Sequence, residues 1–175
     1  MNSKADFMNE GIKLEVLKSP NAKKRYDLME GDMLIASLNY PKRFTKSASV
    51  EIGNKRWQIS RSGFWKHHYE IISEQSPYSK WKLDKNWRGL VSLRMEDNRQ
   101  FNLRKKGFWK TTWIWVNENE EPVIELQSCG WPQKKRGIIT VFSRPDEATI
   151  WLCTIGWFML LCAEEDAAAV ATPGA

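Results

Sequence analysis

The sequence predicts an all-β fold in which an antiparallel barrel of about twelve strands encloses one hydrophobic C-terminal helix. Three observations lead to this prediction. Across residues 13–143, short segments that alternate apolar and polar residues are separated by turn residues, as in a sandwich or barrel. Residues 148–163 contain no charged side chain. Ten of the 175 residues are Trp, a residue type that usually lies in cores or interfaces.

The clearest predicted strands flank a hairpin turn at Gly53 and Asn54. Before the turn, Ala48 and Val50 alternate with polar residues, and after it Trp57 does the same. Further strands are predicted at 32–39, 66–72, 80–83, 90–95, 100–104, 109–116, 123–127 and 137–142. Helical periodicity is absent from this part of the sequence. A chain of 175 residues suits one domain, predicted at 13–166 with the helix included, after an N-terminal arm at 1–12.

An internal repeat strengthens the hairpin interpretation. Residues 53–59 align with residues 97–103, and both copies continue into the same tetrapeptide, Gly-Phe-Trp-Lys, at 63–66 and 107–110. Each copy is predicted to form a hairpin, a strand, a glycine turn and an aromatic-rich strand. Two hairpins that arose independently are the alternative. Solenoids and propellers require more copies than the chain contains.

The uncharged segment 148–163 is predicted to be a helix inside the barrel. Asp146 is a candidate N-cap, and Pro145 precedes it. A helix of this length rises about 24 Å, less than the roughly 30 Å hydrocarbon core of a bilayer. Because it has no polar face, protein or lipid must surround it, and a closed barrel supplies the protein. Residues 167–175 are predicted to be a flexible tail.

The predicted order of elements resembles one family. The residues that carry the resemblance are the strand at 31–38, the hairpin at 48–59, Gly63 and Phe64 with Tyr69, and the helix at 148–163. The chain resembles the tubby C-terminal-like superfamily, which includes the phospholipid scramblases and the plant LURP-one-related proteins. The resemblance implies a barrel of about twelve strands around a central helix. It also implies contact between phosphoinositide headgroups and basic residues of the barrel wall, although no individual lipid-binding residue is carried over.

Basic residues predict an anion-binding or lipid-binding surface on the outer barrel wall. The chain has 27 Lys and Arg against 21 Asp and Glu, a net charge of +6. The candidate residues are Arg99, Arg104, Lys105, Lys106 and Lys110, together with Lys55, Arg56 and Arg61 in the other copy of the repeat. In the first group Phe101, Phe108 and Trp109 alternate with the cations. The alternative is that these charges only protect strand edges and confer solubility.

No catalytic residue, metal site or cofactor is predicted, so the chain is not expected to be an enzyme. His67 and His68 are adjacent in a strand and point to opposite faces. The three cysteines, Cys129, Cys153 and Cys162, are too few for a disulfide framework and are expected to be reduced and buried. The acidic loop that contains Glu118, Glu120 and Glu121 is a candidate calcium loop, but a polar hairpin loop is the favoured interpretation.

Three functions remain open at this stage. The favoured one is a non-enzymatic binding module for anionic phospholipid headgroups, such as phosphoinositides or an anionic membrane surface, or for a protein partner. The others are a scaffold protein with no lipid affinity and a membrane-anchored protein that inserts its C-terminal helix. Nucleic-acid binding is disfavoured, because the net charge is modest and no nucleic-acid-binding motif is present. The N-terminus has no secretory apolar run, so the expected location is cytoplasmic or peripheral at a membrane.

Overall fold

The computed structural model describes residues 11–20, 22, 24–42, 47–62, 67–76, 80–86, 89–107, 112–129, 134–142 and 145–170. The strands are β1 (Ile12–Lys18), β2 (Arg25–Glu30), β3 (Met33–Lys42), β4 (Ser47–Ile52), β5 (Lys55–Ser62), β6 (His67–Ser73), β7 (Lys80–Lys85), β8 (Val91–Arg94), β9 (Gln100–Lys105), β10 (Thr112–Val116), β11 (Pro122–Ser128) and β12 (Lys135–Val141). One helix, α1 (Glu147–Val170), follows them.

The twelve strands form a closed antiparallel barrel in which each strand pairs with its neighbours in the sequence. Pairing of β1 with β12, for example Leu14 with Ile139, closes the barrel. This confirms the predicted barrel and excludes the sandwich. The strands β1 and β2 are additional to those predicted individually, although Val16 and Leu28 point into the core as their alternating patterns require.

Helix α1 runs through the barrel, as predicted, and contacts β3, β10 and β11. Its uncharged surface matches this enclosure, because residues 151–162 are buried on every side of the helix. At Gly156 a side chain would meet the Trp115 indole nitrogen 2.6 Å away, so the glycine permits close approach. That indole N–H instead donates a hydrogen bond to the Leu152 carbonyl at 2.8 Å.

The helix ends later than predicted. It continues past residue 163 through Glu164, Glu165 and Asp166 to Val170, into the segment expected to be a tail. Alanines at 167–169 favour helix, and groups of the barrel bind the three acidic side chains. By length and composition, Glu147–Ala168 could cross a membrane, but 78% of its most apolar window is buried inside the barrel.

The up-and-down topology gives the barrel two distinct ends. The connections β2–β3, β4–β5, β6–β7, β8–β9, β10–β11 and β12–α1 lie at one end, where the helix begins. We call this the entry end. The other six connections, from β1–β2 to β11–β12, lie at the opposite end, from which the helix emerges. We call this the exit end.

Both copies of the repeat form hairpins at the entry end, but their turns differ. Gly53 adopts a positive φ of 56° in a two-residue turn, since Ile52 pairs with Lys55. In the other copy Asn98 has a φ of 66°, and the Met95 N–H donates to the Arg99 carbonyl at 3.0 Å. The second turn is therefore one residue longer, and its αL residue is the asparagine.

Candidate anion-binding surface

The predicted basic residues do not form one cluster. Lys55 and Arg56 begin β5, whereas Arg99, Arg104, Lys105 and Lys106 lie in or beside β9. Three strands, β6, β7 and β8, separate the two groups around the barrel. Arg61 pairs through its backbone with Tyr69, but its side chain lies outside the described part of the structure, as does the whole of Lys110.

Two of these cations hold the start of the helix. The Arg99 guanidinium lies 2.6 Å from an Asp97 carboxylate oxygen and 3.1 Å from one of Asp146. Lys55 reaches Glu147 at 3.5 Å. The hydrogen bonds from the Arg99 backbone and side chain lower the pKa of Asp97. Arg99 and Lys55 therefore fasten two entry-end hairpins to α1.

Asp146 is the N-cap of α1, as predicted. Its carboxylate accepts the Thr149 backbone N–H and hydroxyl, each at 2.8 Å, and its own N–H donates to the Thr149 hydroxyl oxygen at 3.1 Å. Burial alone would raise the pKa of Asp146, but the Thr149 hydrogen bonds and the Arg99 charge outweigh burial and lower it.

Arg56 belongs to a polar cleft of about 390 Å³ between the β4–β5 and β6–β7 connections. Its guanidinium donates to Glu51 at 2.7 Å and 3.1 Å, and it lies 4.0 Å from Glu74. The cleft wall thus carries as many carboxylates as cations, Glu51 and Glu74 against Lys55 and Arg56. It offers no net attraction for an anion.

The cations on and after β9 are more accessible. Arg104 pairs with Glu120 at 2.8 Å and Lys106 with Glu125 at 2.6 Å, and both basic side chains are at least half exposed. The Lys105 ammonium lies 5.5 Å from the centre of the Trp113 ring. Because exposed ion pairs contribute little free energy, these cations can exchange their partners for another anion at small cost.

Charge is divided between the two ends of the barrel. By sequence, the six entry-end connections carry eight acidic residues and two basic ones: Asp32, Glu74, Glu96, Asp97, Glu118, Glu120, Glu121 and Asp146 against Arg99 and Arg144. The six exit-end connections carry nine basic residues and no acidic one: Lys23, Lys24, Arg43, Lys46, Lys66, Arg88, Lys106, Lys110 and Lys134. They also carry seven aromatic residues: Phe44, Phe64, Trp65, Trp87, Phe108, Trp109 and Trp131.

Polar side chains of the barrel surround the emerging end of α1. The Tyr40 hydroxyl donates to Glu165 at 2.5 Å, and the Ser128 hydroxyl donates to Glu164 at 2.9 Å. Arg136 lies 3.7 Å from Glu164, and Lys85 lies 3.8 Å from Asp166. We call these four barrel side chains and the three carboxylates the helix-end cluster.

The sequence prediction missed the helix-end cluster. The acidic triplet at 164–166 could have indicated this cluster, since negative side chains at the predicted C-terminal end of a helix are unfavourable and require compensation. Burial, reinforced by the hydrogen bond to Glu165, raises the pKa of Tyr40, so its phenol remains a donor at neutral pH.

The other predicted features have ordinary structural roles. All three cysteines are free; Cys153 and Cys162 are buried as expected and Cys129 is half-buried, and burial raises the pKa of Cys153. His68 pairs with Asp84 across β6 and β7. In the acidic loop, the Asn117 side-chain oxygen accepts the backbone N–H groups of Asn119 and Glu121, as in a polar hairpin.

Within the described ranges, no group of three or more His, Cys, Asp and Glu side chains is placed to hold a metal ion. Comparisons of the chain with protein-family models, with curated proteins and with solved structures find no match.

Proposed function

We propose that this protein is a non-enzymatic binding module that contacts anionic phospholipid headgroups through the exit end of its barrel. The observation that carries the proposal is the division of charge along the barrel axis. All nine basic residues of the exit-end connections belong to segments that begin and end at one face, without an acidic residue among them. The potentials of the described cations among them, Lys24, Lys106 and Lys134, add on that face, whereas the entry end repels an anionic surface.

The magnitude is sufficient for reversible membrane contact. A Lys or Arg close to an anionic leaflet contributes about 1 kcal/mol, and the attraction decays within a Debye length. A few engaged cations therefore give an affinity that salt abolishes. By sequence, these connections also contain seven aromatic residues, and Trp and Phe rings favour the interface between headgroups and acyl chains.

The proposal assigns different roles to the basic residues that the sequence predicted as one binding surface. Lys105 and Lys106 keep a binding role, and Lys110 and Arg61 join them by their sequence positions near the exit end. Arg104 does not keep this role, because its carboxylate partner Glu120 belongs to the β10–β11 connection at the entry end. Lys55, Arg56 and Arg99 are assigned instead to the packing of the entry end, because their carboxylate partners lie on the hairpins and the helix start.

The tubby-like resemblance supports the proposal. The barrel of twelve antiparallel strands around an apolar C-terminal helix has the architecture that the resemblance implies. We therefore assign the chain to a tubby-like fold as part of the proposal. Because α1 fills the barrel, the proposed membrane contact is peripheral and leaves the buried part of the helix in place.

Sedimentation with vesicles tests the proposal. We expect binding to mixed phosphatidylcholine and phosphatidylserine vesicles at about 0.1 M salt, and loss of binding at about 1 M, where the Debye length falls from about 10 Å to about 3 Å. Vesicles of phosphatidylcholine alone should not bind. If the protein shows no salt-sensitive preference for the anionic vesicles, the lipid proposal is wrong and a protein scaffold becomes the better interpretation.

Two triple variants locate the surface. Neutralising Lys24, Lys106 and Lys134 to Gln at the exit end should remove most of the binding. Neutralising Lys13, Lys82 and Arg94 to Gln, which lie on the outer wall away from the exit-end connections, changes the net charge equally and should remove little. Equal losses in both variants would show that net charge alone attracts the protein.

A further inference from the structure

The exit end is not uniformly positive, because the helix places three carboxylates at its centre. Glu164, Glu165 and Asp166 come after the buried part of α1, and their side chains are only partly exposed. The groups that bind them are two hydroxyls, one guanidinium and one ammonium, contributed by strands β3, β7, β11 and β12. The cluster thus joins the helix to strands all around the exit end.

These four groups are the donors that commonly bind phosphate and carboxylate ligands. The cations are held inside the cluster: the side chains of Arg136 and Lys85 are 2% and 15% exposed, whereas those of Glu164 and Asp166 are 35% and 45% exposed. The acids are therefore the outer members of the ion pairs, and an approaching anion meets them before it meets the cations.

Three consecutive carboxylates on one helix repel one another. They lie one turn before the last turn of α1, 167–170, which contains no basic residue that could compensate them. The structure tolerates three of them because the barrel supplies compensating donors. Neither helix formation nor the apolar core requires this arrangement, since the alanines that follow favour helix without any charge.

We infer that the acidic end of α1 is an autoinhibitory contact, in which the carboxylates of Glu164, Glu165 and Asp166 occupy exit-end donors that an anionic headgroup would otherwise bind. This inference rests on the proposed function. A headgroup that binds at the exit end competes with the helix carboxylates. It replaces them as the partner of Lys85, and it reaches Arg136 once the end of the helix has moved away. The last helical turns lie outside the buried core, so they can separate from the barrel without loss of the packing at 151–162.

Neutralising the acids tests the inference. The variant Glu164→Gln/Glu165→Gln/Asp166→Asn should bind phosphatidylserine-containing vesicles more tightly than the wild type, by about fivefold for each cation released. The matched control is Glu30→Gln/Asp32→Asn/Glu96→Gln, which changes the net charge equally at exposed positions of the entry end. The control should change the affinity by less than about twofold.

A third variant separates exchange of partners from simple removal of negative charge. Lys85→Gln in the neutralised background should abolish much of the gain, because the released ammonium is then absent. In the wild-type background it should have little effect, because Asp166 already occupies Lys85. Equal effects of Lys85→Gln in both backgrounds would show that the helix carboxylates do not compete with the headgroup for Lys85.

The outcomes distinguish this inference from the proposed function. If the wild type binds and the neutralised variant matches the entry-end control, autoinhibition is wrong and the lipid proposal stands. If only the neutralised variant binds, the lipid proposal is wrong for this chain and the inference falls with it, because the wild type then has no membrane binding for α1 to limit. If none of the variants binds, both are wrong. Thermal unfolding and near-ultraviolet circular dichroism identify loss of folding. The single variant Asp166→Asn, at the more exposed of the two ion-paired carboxylates in the helix-end cluster, repeats the test with the least disturbance.

Discussion

At the scale of single residues, Asp146 shows how one side chain joins the helix to the barrel. Its carboxylate caps α1 through Thr149 and also receives the guanidinium of Arg99 from the β8–β9 hairpin. The two roles use different properties of the side chain. Capping requires only an acceptor oxygen, which Asn also provides, whereas the contact with Arg99 requires the negative charge.

Two substitutions therefore separate the roles. Asp146→Ala should lower the free energy of unfolding by about 1 kcal/mol, the usual cost of a lost N-cap. Asp146→Asn should cost less, because it keeps the cap and loses only a half-exposed ion pair. Chemical denaturation of the two variants and the wild type measures the difference. Equal losses in both variants would mean that the cap contributes nothing and that the charge accounts for the whole effect.

The same residue predicts a pH dependence. The pKa of Asp146 is lower in the folded chain than in the unfolded chain, so the unfolded state binds the proton more readily. Its contribution to stability is full above the unfolded pKa of about 4 and is lost as the pH falls through the folded pKa. Thermal melts between about pH 6 and pH 2 should therefore show a smaller acid destabilisation for Asp146→Asn than for the wild type. A steeper dependence in the variant would contradict this sign.

At the scale of elements, the helix and the strands stabilise each other through complementary packing. Trp157 is 2% exposed and contacts Gly137, where a side chain would collide with the indole. A glycine on β12 and a tryptophan on α1 thus form one complementary contact. Neither is informative alone in the sequence, since the strand pattern predicts only that residue 137 faces inward.

Replacing Trp157 by Asp should destabilise the fold by several kcal/mol, because an unpaired carboxylate would enter an apolar interior. Thr140→Asp is the matched control. Thr140 is on β12, next to the inward-facing Ile139 and Val141, and it is only partly buried, so an added charge there should cost little. Circular dichroism and thermal unfolding measure both. If Trp157→Asp leaves the barrel folded with an unchanged melting temperature, the core role of the helix is refuted. Deletion from residue 148 onward should be more damaging, since it empties the barrel.

The elements also show which parts of the fold the sequence could predict. Alternation predicted most strands, such as β4 and β5, because inward and outward positions differ in polarity. The apolar run predicted the helix, but not its end at Val170. The stability of the last turns depends on Tyr40, Arg136 and Lys85, which are distant in sequence and meet the helix only after the barrel closes.

At the scale of the whole molecule, the net charge of +6 conceals the division between the two ends. The sequence prediction grouped basic residues by their proximity in the chain, so it combined Arg99 with Lys106, which belong to opposite ends of β9. Once an up-and-down barrel is established, alternate connections must lie at opposite ends. The division of charge could then have been predicted from the sequence, because it needs only the assignment of each connection to an end.

Charge division makes the barrel a dipole, so the proposed lipid contact predicts an orientation as well as an affinity. The barrel should stand with its exit end on the bilayer and its acidic entry end in water, because rotation onto the wall would bring carboxylates toward the anionic surface.

An environment-sensitive fluorophore on a single cysteine reports this orientation. Lys134→Cys labels the exit end and Asp32→Cys labels the entry end, and both positions are exposed. Cys129→Ser removes the half-buried native thiol, and Cys153 and Cys162 are buried. Phosphatidylserine vesicles should shift the emission of the label at residue 134 to the blue and leave the label at residue 32 unchanged. Shifts of equal size at both positions would show that the protein lies on its side or binds without a fixed orientation.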